Sequence, residues 1–396
     1  MKNNYTPIFM MIVLISMVAL MTLPSLLKST QPDLGMSATG SEMVKARVTE
    51  IIEDDQIDLG GTLQRYQVAR VELLEGKYQG IIMEMDYGKR QILSNTLFLG
   101  PGDEVLVTIG TRPDGVLTVY FADFVRINSI LWLTAVFAIT ILVISRWKGL
   151  RSLVSLALSL LIIIGYIIPR ILAGGDPLWV SIGGSVVLLA VTLYLTYGWN
   201  LKTHAAVLSM MIVLLLTGTL AALFVAVTRL TGSGDENALF LLQLLNTQIN
   251  LRGLLLGGMI IGALGVLDDL VTTQASAVFE LHQANPSMQP RPLFQAAMRI
   301  GQDHVAATVN TLVLAYAGAS LPMLLMFSLG RGDYSTLINF QFVAEEIVRT
   351  LVGSLGLVAA VPLTTLIAIL FILKADSLGK WRLILGPEGS GPSHSH

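Results

Sequence analysis

Asp268 and Asp269 stand side by side in an otherwise apolar stretch, Leu254 to Ala277. A charge at bilayer depth costs at least about 2.5 to 3.5 kcal/mol on insertion scales, so intramembrane acids face a bundle interior or a wet cavity and mark an ion or proton path. At helical spacing Gly258, Gly262, Gly265, Asp269, Thr272 and Ser276 fall on one face, and the small pair Gly258 and Gly262 is expected to let a neighbouring helix approach closely. Asp269, Thr272, Thr273 and Ser276 continue that face as a strip of oxygen ligands. Such hard ligands suit a proton, Na⁺ or a Mg²⁺-like cation, and soft-metal ligands are missing. Asp268 lies about 100° round the helix from Asp269, so the two need not share a partner. Asp269 is the expected functional carboxylate, and Asp268 is expected to orient its surroundings. The plainer alternative is that one Asp merely bonds a polar group on a neighbouring helix.

Further polar residues follow downstream. Asp303 and Asn310 lie seven residues apart on one face, separated by small Ala306 and Ala307, and are expected to line the same path. His304 stands at a helix start, where a histidine is ordinarily solvated. At the start of the last apolar run, Glu345 and Arg349 have the i,i+4 spacing of an ion pair. Glu346 then lacks a partner and projects with Thr350 and Gly353, either as an interfacial acid or as an outer entry point for an ion.

Other chemistries are poorly supported. The chain has no phosphate-binding loop ending in Lys-Ser/Thr, no His-Glu-x-x-His and no Gly-x-Ser-x-Gly. It has 5 histidines and 0 cysteines, which removes disulfides and thiolate metal sites. His394 and His396 belong to a tail whose composition reads as disordered. No cofactor and no enzymatic activity are expected; an intramembrane aspartyl protease would need a second acid such as Asp303, with nothing around it in support. A net charge of −2 and the lack of a basic patch with interleaved aromatics argue against nucleic acid.

The elements that must position these residues are membrane spans. Hydrophobic residues make up 53% of the chain and charged ones 13%, and runs of about 20 apolar residues recur, each enough to cross a hydrocarbon core. A retained anchor is expected at Ile8 to Leu27, within residues 1–28. Seven further spans follow within 129–375: Ile130–Ser145, Leu153–Ile168, Leu178–Tyr197, Ala205–Val227, Leu254–Ala277, Val305–Leu329 and Ile347–Leu373. The expected fold is therefore an α-helical polytopic membrane protein of about eight transmembrane helices. Ten Lys and Arg fall in short loops or flanks on one side (Lys2, Arg146, Lys148, Arg151, Lys202, Arg291, Arg299, Lys374, Lys380, Arg382). Four lie opposite (Arg170, Arg229, Arg252, Arg331). The positive-inside rule then puts both termini, including a disordered 383–396 tail, in the cytoplasm of a bacterial cell.

From Val44 to Arg126 the pattern turns to period two, with turn signals at Gly60-Gly61, Gly100-Pro101-Gly102 and Pro113-Asp114-Gly115. Strands are expected at Val44–Ile52, Leu63–Leu74, Gly80–Met85, Glu104–Ile109 and Leu117–Val125, a number and spacing that suit a small all-β, OB-like barrel outside the membrane. The segment from Val44 to Ile127 holds 13 acids against 9 bases, so a docking or sheath role is expected in preference to oligonucleotide binding.

The run Gly262-Ala-Leu-Gly-Val-Leu-Asp-Asp-Leu-Val-Thr-Thr-Gln274 resembles the YibE/F family of bacterial membrane proteins. So do Arg299-Ile-Gly-Gln-Asp-His304 with Asn310-Thr311-Leu312 to Gly318, and Glu345-Glu346 to Pro362-Leu363-Thr364-Thr365. That resemblance implies an anchor, an extracellular β domain and a helical bundle, a transporter-like role, and a YibF-like membrane partner. The order of parts is also similar to the SecD/SecF branch of the proton-driven RND superfamily, which would make Asp268 or Asp269 a proton carrier. The chain departs from that branch in having more helices before the aspartates.

Two functions follow as expectations. One is an ion-coupled permease in the bacterial plasma membrane, with Asp268 and Asp269 as the ion site lined by Thr272, Thr273, Asp303 and Asn310. The other is a membrane scaffold or assembly factor that docks a partner through the β domain. Expected partners are the lipid bilayer, a YibF-like protein and further copies of the chain.

Overall fold

The computed structural model describes residues 19, 22, 42–59, 61–89, 97–111, 117–244, 249–329 and 334–375. The expected anchor and the C-terminal tail lie outside these residues, apart from isolated Ala19 and Thr22. The chain divides into two compact units, Thr30–Val143 and Met1–Ser29 with Ile144–His396.

Five strands form the first unit: β1 (Glu42–Leu59), β2 (Thr62–Leu73), β3 (Ile82–Tyr87), β4 (Glu104–Thr111) and β5 (Leu117–Phe124). They close in the order β1-β2-β3-β5-β4, antiparallel except for β3 and β5, which is the OB-type arrangement. Period-two side chains fill the interior: Val44, Ala46 and Val48 on β1 meet Ala69, Val71 and Leu73 on β2, then Met85, Val105, Val107 and Val119. β1 runs past the expected Ile52 to Leu59. Register shifts at Val48/Glu50 and Ile51/Glu53 bend it, so its first part pairs with β4 while it also pairs along β2. Closure leaves no free sheet edge.

The helical elements are α1 (Ile127–Ile162), a π-helical turn Ile163–Ile167, α2 (Ile168–Leu172), α3 (Pro177–Tyr197), α4 (Leu201–Val227) and α5 (Glu236–Leu244), followed by α6 (Leu251–Ala284), α7 (Pro290–Ala319), α8 (Leu321–Leu329), α9 (Tyr334–Ile338) and α10 (Gln341–Ala375). Caps explain where several begin. The Asp176 side chain accepts from the N–H groups of Leu178 and Trp179, Asn200 from Thr203, and Asn250 from Gly253.

Among the described residues, five helices are long and apolar enough to cross a membrane: Ile127–Leu172, Pro177–Tyr197, Leu201–Val227, Leu251–Ala284 and Gln341–Lys374. The first, 46 residues long, contains two of the expected spans and leaves helical geometry between them at Arg146 (φ 49, ψ −125). The expected span Val305–Leu329 is divided between α7 and α8. The helix breaks at Ser320, two residues before Pro322, whose ring disfavours helical geometry just ahead of it. Exposed Leu131, Trp132, Leu133, Val136 and Phe137 give α1 an apolar surface suited to lipid. The chain is thus a polytopic α-helical membrane protein carrying a closed five-stranded barrel.

In the bundle, Leu189 and Leu193 of α3, Met210, Val213 and Leu214 of α4, Ile260, Leu264, Leu267 and Leu270 of α6, and Leu357 and Val361 of α10 share one core, with Val305 and Val309 of α7 packed on it. α6 touches α3, α4, α7 and α10. The helix that carries both aspartates is therefore the central one.

Candidate functional site

The two aspartates occupy different environments. One side-chain oxygen of Asp268 is buried and has no hydrogen-bond partner, whereas the Asp269 side chain is 77% exposed. The 100° step between neighbours produces this split, because α6 packs on several sides and leaves one side open. Asp269 faces the open side: its Oδ2 lies 3.9 Å from His304 Nε2 on α7, and Thr273 Oγ1 is 3.5 Å from its Oδ1. The sequence assigned the functional role to Asp269 and an orienting role to Asp268, yet Asp268 holds the buried oxygen.

Thr272 is buried, and its Oγ1 lies 2.9 and 3.1 Å from the backbone oxygens of Asp268 and Asp269 and 3.4 Å from Tyr197 Oη on α3. A Cβ at Gly257 would overlap Ser181 Oγ, so α6 and α3 touch at Gly257–Ser181 and again at Thr272–Tyr197. Fifteen residues along one helix match sixteen along the other, so the two run parallel, and Asp268 sits one turn before the Tyr197 contact. Beside that contact is a cavity of about 10 Å³ lined by Tyr197, Lys202, Thr203, Thr272 and Ser276 among others. Its surface is mostly apolar, with Leu193 and Ala206 completing the lining, and its size is at the threshold for one water. The expected oxygen strip is therefore divided: Asp269 and Thr273 open outward, while Thr272 and Ser276 border the Tyr197 cavity.

The glycine face also differs from expectation. Nothing lies within 4 Å of a Cβ built at Gly258, Gly262 or Gly265, so no described helix uses them for close approach. Gly262 borders a narrow cleft with Leu312 and Tyr316 of α7 and Arg349 and Gly353 of α10. The tight glycines are elsewhere: Gly253 and Gly257 against Asn250, Pro177 and Ser181, and Gly301 of α7 against Gln274 and Val361.

Asp303 and Asn310 are exposed and share no hydrogen bond or ion pair with the aspartates among the described residues. His304, beside them in sequence, is the α7 residue that reaches Asp269. On α10, Arg349 Nη1 donates to Glu346 Oε2 at 2.9 Å, in place of the expected pair with Glu345. Glu345 is buried and accepts instead from the Gly234 N–H and Gln341 Nε2, so a loop distant in sequence takes it away from Arg349. Glu346 lines an apolar groove of about 550 Å³ with Tyr316, Thr350 and Leu351.

A residue given no role in the sequence reading joins the site helices. Buried Gln274 donates from Nε2 to Ala297 O of α7 at 3.0 Å and to Thr365 Oγ1 of α10 at 2.7 Å. Thr365 in turn donates to Val361 O, next to Pro362, whose missing N–H leaves the preceding turn short of one helical bond. Gln274 thus ties three helices together about one and a half turns beyond the aspartates. A polar residue within an apolar span signals such a tie, but spacing alone did not show which helices it joins.

A family model for YibE/F-like proteins matches residues 133–374, from within α1 to the end of α10. The chain belongs to the YibE/F family. No curated protein and no solved structure matches it. Both aspartates, Gln274, His304 and the Glu346–Arg349 pair lie inside the YibE/F match, and the barrel lies before it.

Proposed function

We propose that this YibE/F protein is an ion-coupled membrane transporter in which Asp268 takes up and releases a proton or small cation. The observation that supports this reading is the buried, unpartnered oxygen of Asp268 on the central spanning helix. Asp268 is half-buried, and an oxygen buried without a cation or donor is costly to keep charged, which favours uptake of a proton or small cation there. The hydroxyls of Thr272, Tyr197 and Ser276 beside the water-sized cavity offer a path from Lys202 toward it. About 100° round α6, exposed Asp269 and His304 of α7 form a second acid and imidazole station. In this reading the barrel lies outside the bacterial plasma membrane, the termini are cytoplasmic, and no enzymatic step is involved.

Proteoliposomes with an entrapped pH indicator test the proposal. An imposed potential or cation gradient should move protons in the native protein, and Asp268→Asn should abolish the flux while insertion is retained. Equal flux in the Asp268→Asn, Asp269→Asn double variant would overturn it.

A further inference from the structure

At the end of the bundle where α4 stops and α6 begins, Arg229 and Arg252 line one open cavity of about 450 Å³ with Thr231, Asn250 and Leu251. We infer that this cavity binds a phosphate-type oxyanion, held between the two guanidinium groups. The inference does not depend on the transport reading.

Charge is the first argument. No carboxylate lines the cavity, and among the described residues neither arginine has an ion pair. Of the acids in neighbouring segments, Glu236 is exposed on α5 and three others are hydrogen-bonded elsewhere. Asp176 accepts from Leu178, Trp179 and Asn250, Asp235 from Asn237, and Glu345 from Gly234 and Gln341. Two arginines without ion pairs line one concavity, where a shared oxyanion would take charge-assisted, fork-shaped contacts from both.

The backbone supplies the second argument. Arg229 has φ 55, the left-handed conformation at the position after a helix end where glycine is the usual residue. The turn is well made: Leu230 N donates to Val225 O at 3.0 Å and Arg229 N to Ala226 O at 3.2 Å. The last carbonyls of α4 are thereby occupied and present little negative charge to the cavity. An arginine is strained there relative to glycine, so a side-chain role offsets a backbone penalty.

The cavity wall is also fixed in place. A Cβ at Gly232 (φ 82) would overlap Leu251 O, so the Thr231–Gly232 turn is pressed onto the first peptide of α6. Thr231 Oγ1 accepts from Gln341 Nε2 at 2.6 Å and lies 2.8 Å from Ser233 Oγ, which ties the turn to α10. Asn250 caps α6 at Gly253 and donates to Asp176, holding the opposite wall. The start of α6 adds its positive helix end to the two cations.

The anion has two sources: free phosphate or the phosphodiester headgroup of a lipid at the membrane surface. Detergent-purified full-length protein would be titrated with inorganic phosphate by thermal shift. Native mass spectrometry from nanodiscs of mixed phosphatidylglycerol and phosphatidylcholine would count retained lipids. Arg229→Gln and Arg252→Gln should each weaken binding about tenfold or more, the scale of one charge-assisted hydrogen bond. Arg252→Lys should recover part of the loss, and the anion-free melting point of each variant reports whether it folds. A response to phosphate identifies a soluble anion, and retention of phosphatidylglycerol alone identifies a headgroup. Failure of both probes on the native protein, or equal binding by the double Gln variant, overturns the inference.

Discussion

Replacing Asp268 with leucine should stabilise the protein while removing ion coupling. One carboxylate oxygen is buried without a partner, and an unsatisfied buried polar group costs about 1 to 3 kcal/mol, more when charged. Leucine is close to aspartate in length and would extend the shared core formed by its neighbours Leu264, Leu267 and Val271. The expected gain is about 1 to 3 kcal/mol, and at about 2 to 4 °C per kcal/mol for a unit of this size the melting midpoint in detergent should rise by several degrees. Asp269→Leu is the matched control. Its side chain is 77% exposed, so the change should fall within about 0.5 kcal/mol. The assay is intrinsic-tryptophan melting of both variants and the native protein in one detergent, paired with the liposome flux measurement. A midpoint that falls for Asp268→Leu would show that the carboxylate has a stabilising partner, and the reasoning that makes it an ion site would fail.

Gly301→Ala should destabilise the bundle by about 1 to 3 kcal/mol, because the new Cβ would lie 2.6 Å from Gln274 Oε1 and overlap Val361; Gly265→Ala, with open space around it, should leave the melting midpoint unchanged. In the barrel, the Tyr66 hydroxyl and Lys89 beside Glu53, and Arg65 beside Asp54, hold both carboxyls below their usual range. Their contribution is present above the ordinary carboxylate pKa and is lost as pH falls through the depressed values, so amide exchange of β1 and β2 should rise only below about pH 4. Tyr66 itself is pushed up to about 12, chiefly by its bond to Glu53. An absorbance titration comparing native protein with Tyr66→Phe should therefore lose one strongly alkaline tyrosinate step.

Much of the fold was legible in the sequence because each unit obeys one strong constraint. Val44, Ala46, Val48 and Val105, Val107, Ile109 alternate because one face of each strand is buried, and the same alternation fixes the register of a closed barrel. The full length of β1 was not legible. Glu53 to Gln56 are polar on both faces, and the pairing of this part with β2 follows bulges that periodicity does not report. The spans were legible from apolar length, while the division at Ser320 depends on where the chain can leave a helix near Pro322.

The site was legible in composition but not in orientation, and the reason lies in α6 itself. It packs against four helices, so apolar residues cover most of its circumference and no polar stripe marks the open side. Glycine adds no bias, because a missing side chain serves a close contact at Gly257 and an open cleft at Gly262 equally well. Charge pairing failed for a related reason. Glu345 and Arg349 have favourable spacing, but a few tenths of a kcal/mol from an i,i+4 pair cannot compete with the two donors that the distant loop and Gln341 bring to a buried carboxylate. Arg349 turns to Glu346 as a result, beside the Gly262 cleft, and the far end of that glycine face carries Asp269 and His304. One face of α6 thus has an ion pair near one end and a titratable pair near the other, about 10 Å apart along the axis. About 100° round the same helix lies the buried Asp268 oxygen. A carrier that moves an ion from one side of α6 to the other needs a small rotation of this helix, and Gln274, bonded to both α7 and α10, is the residue that would resist it.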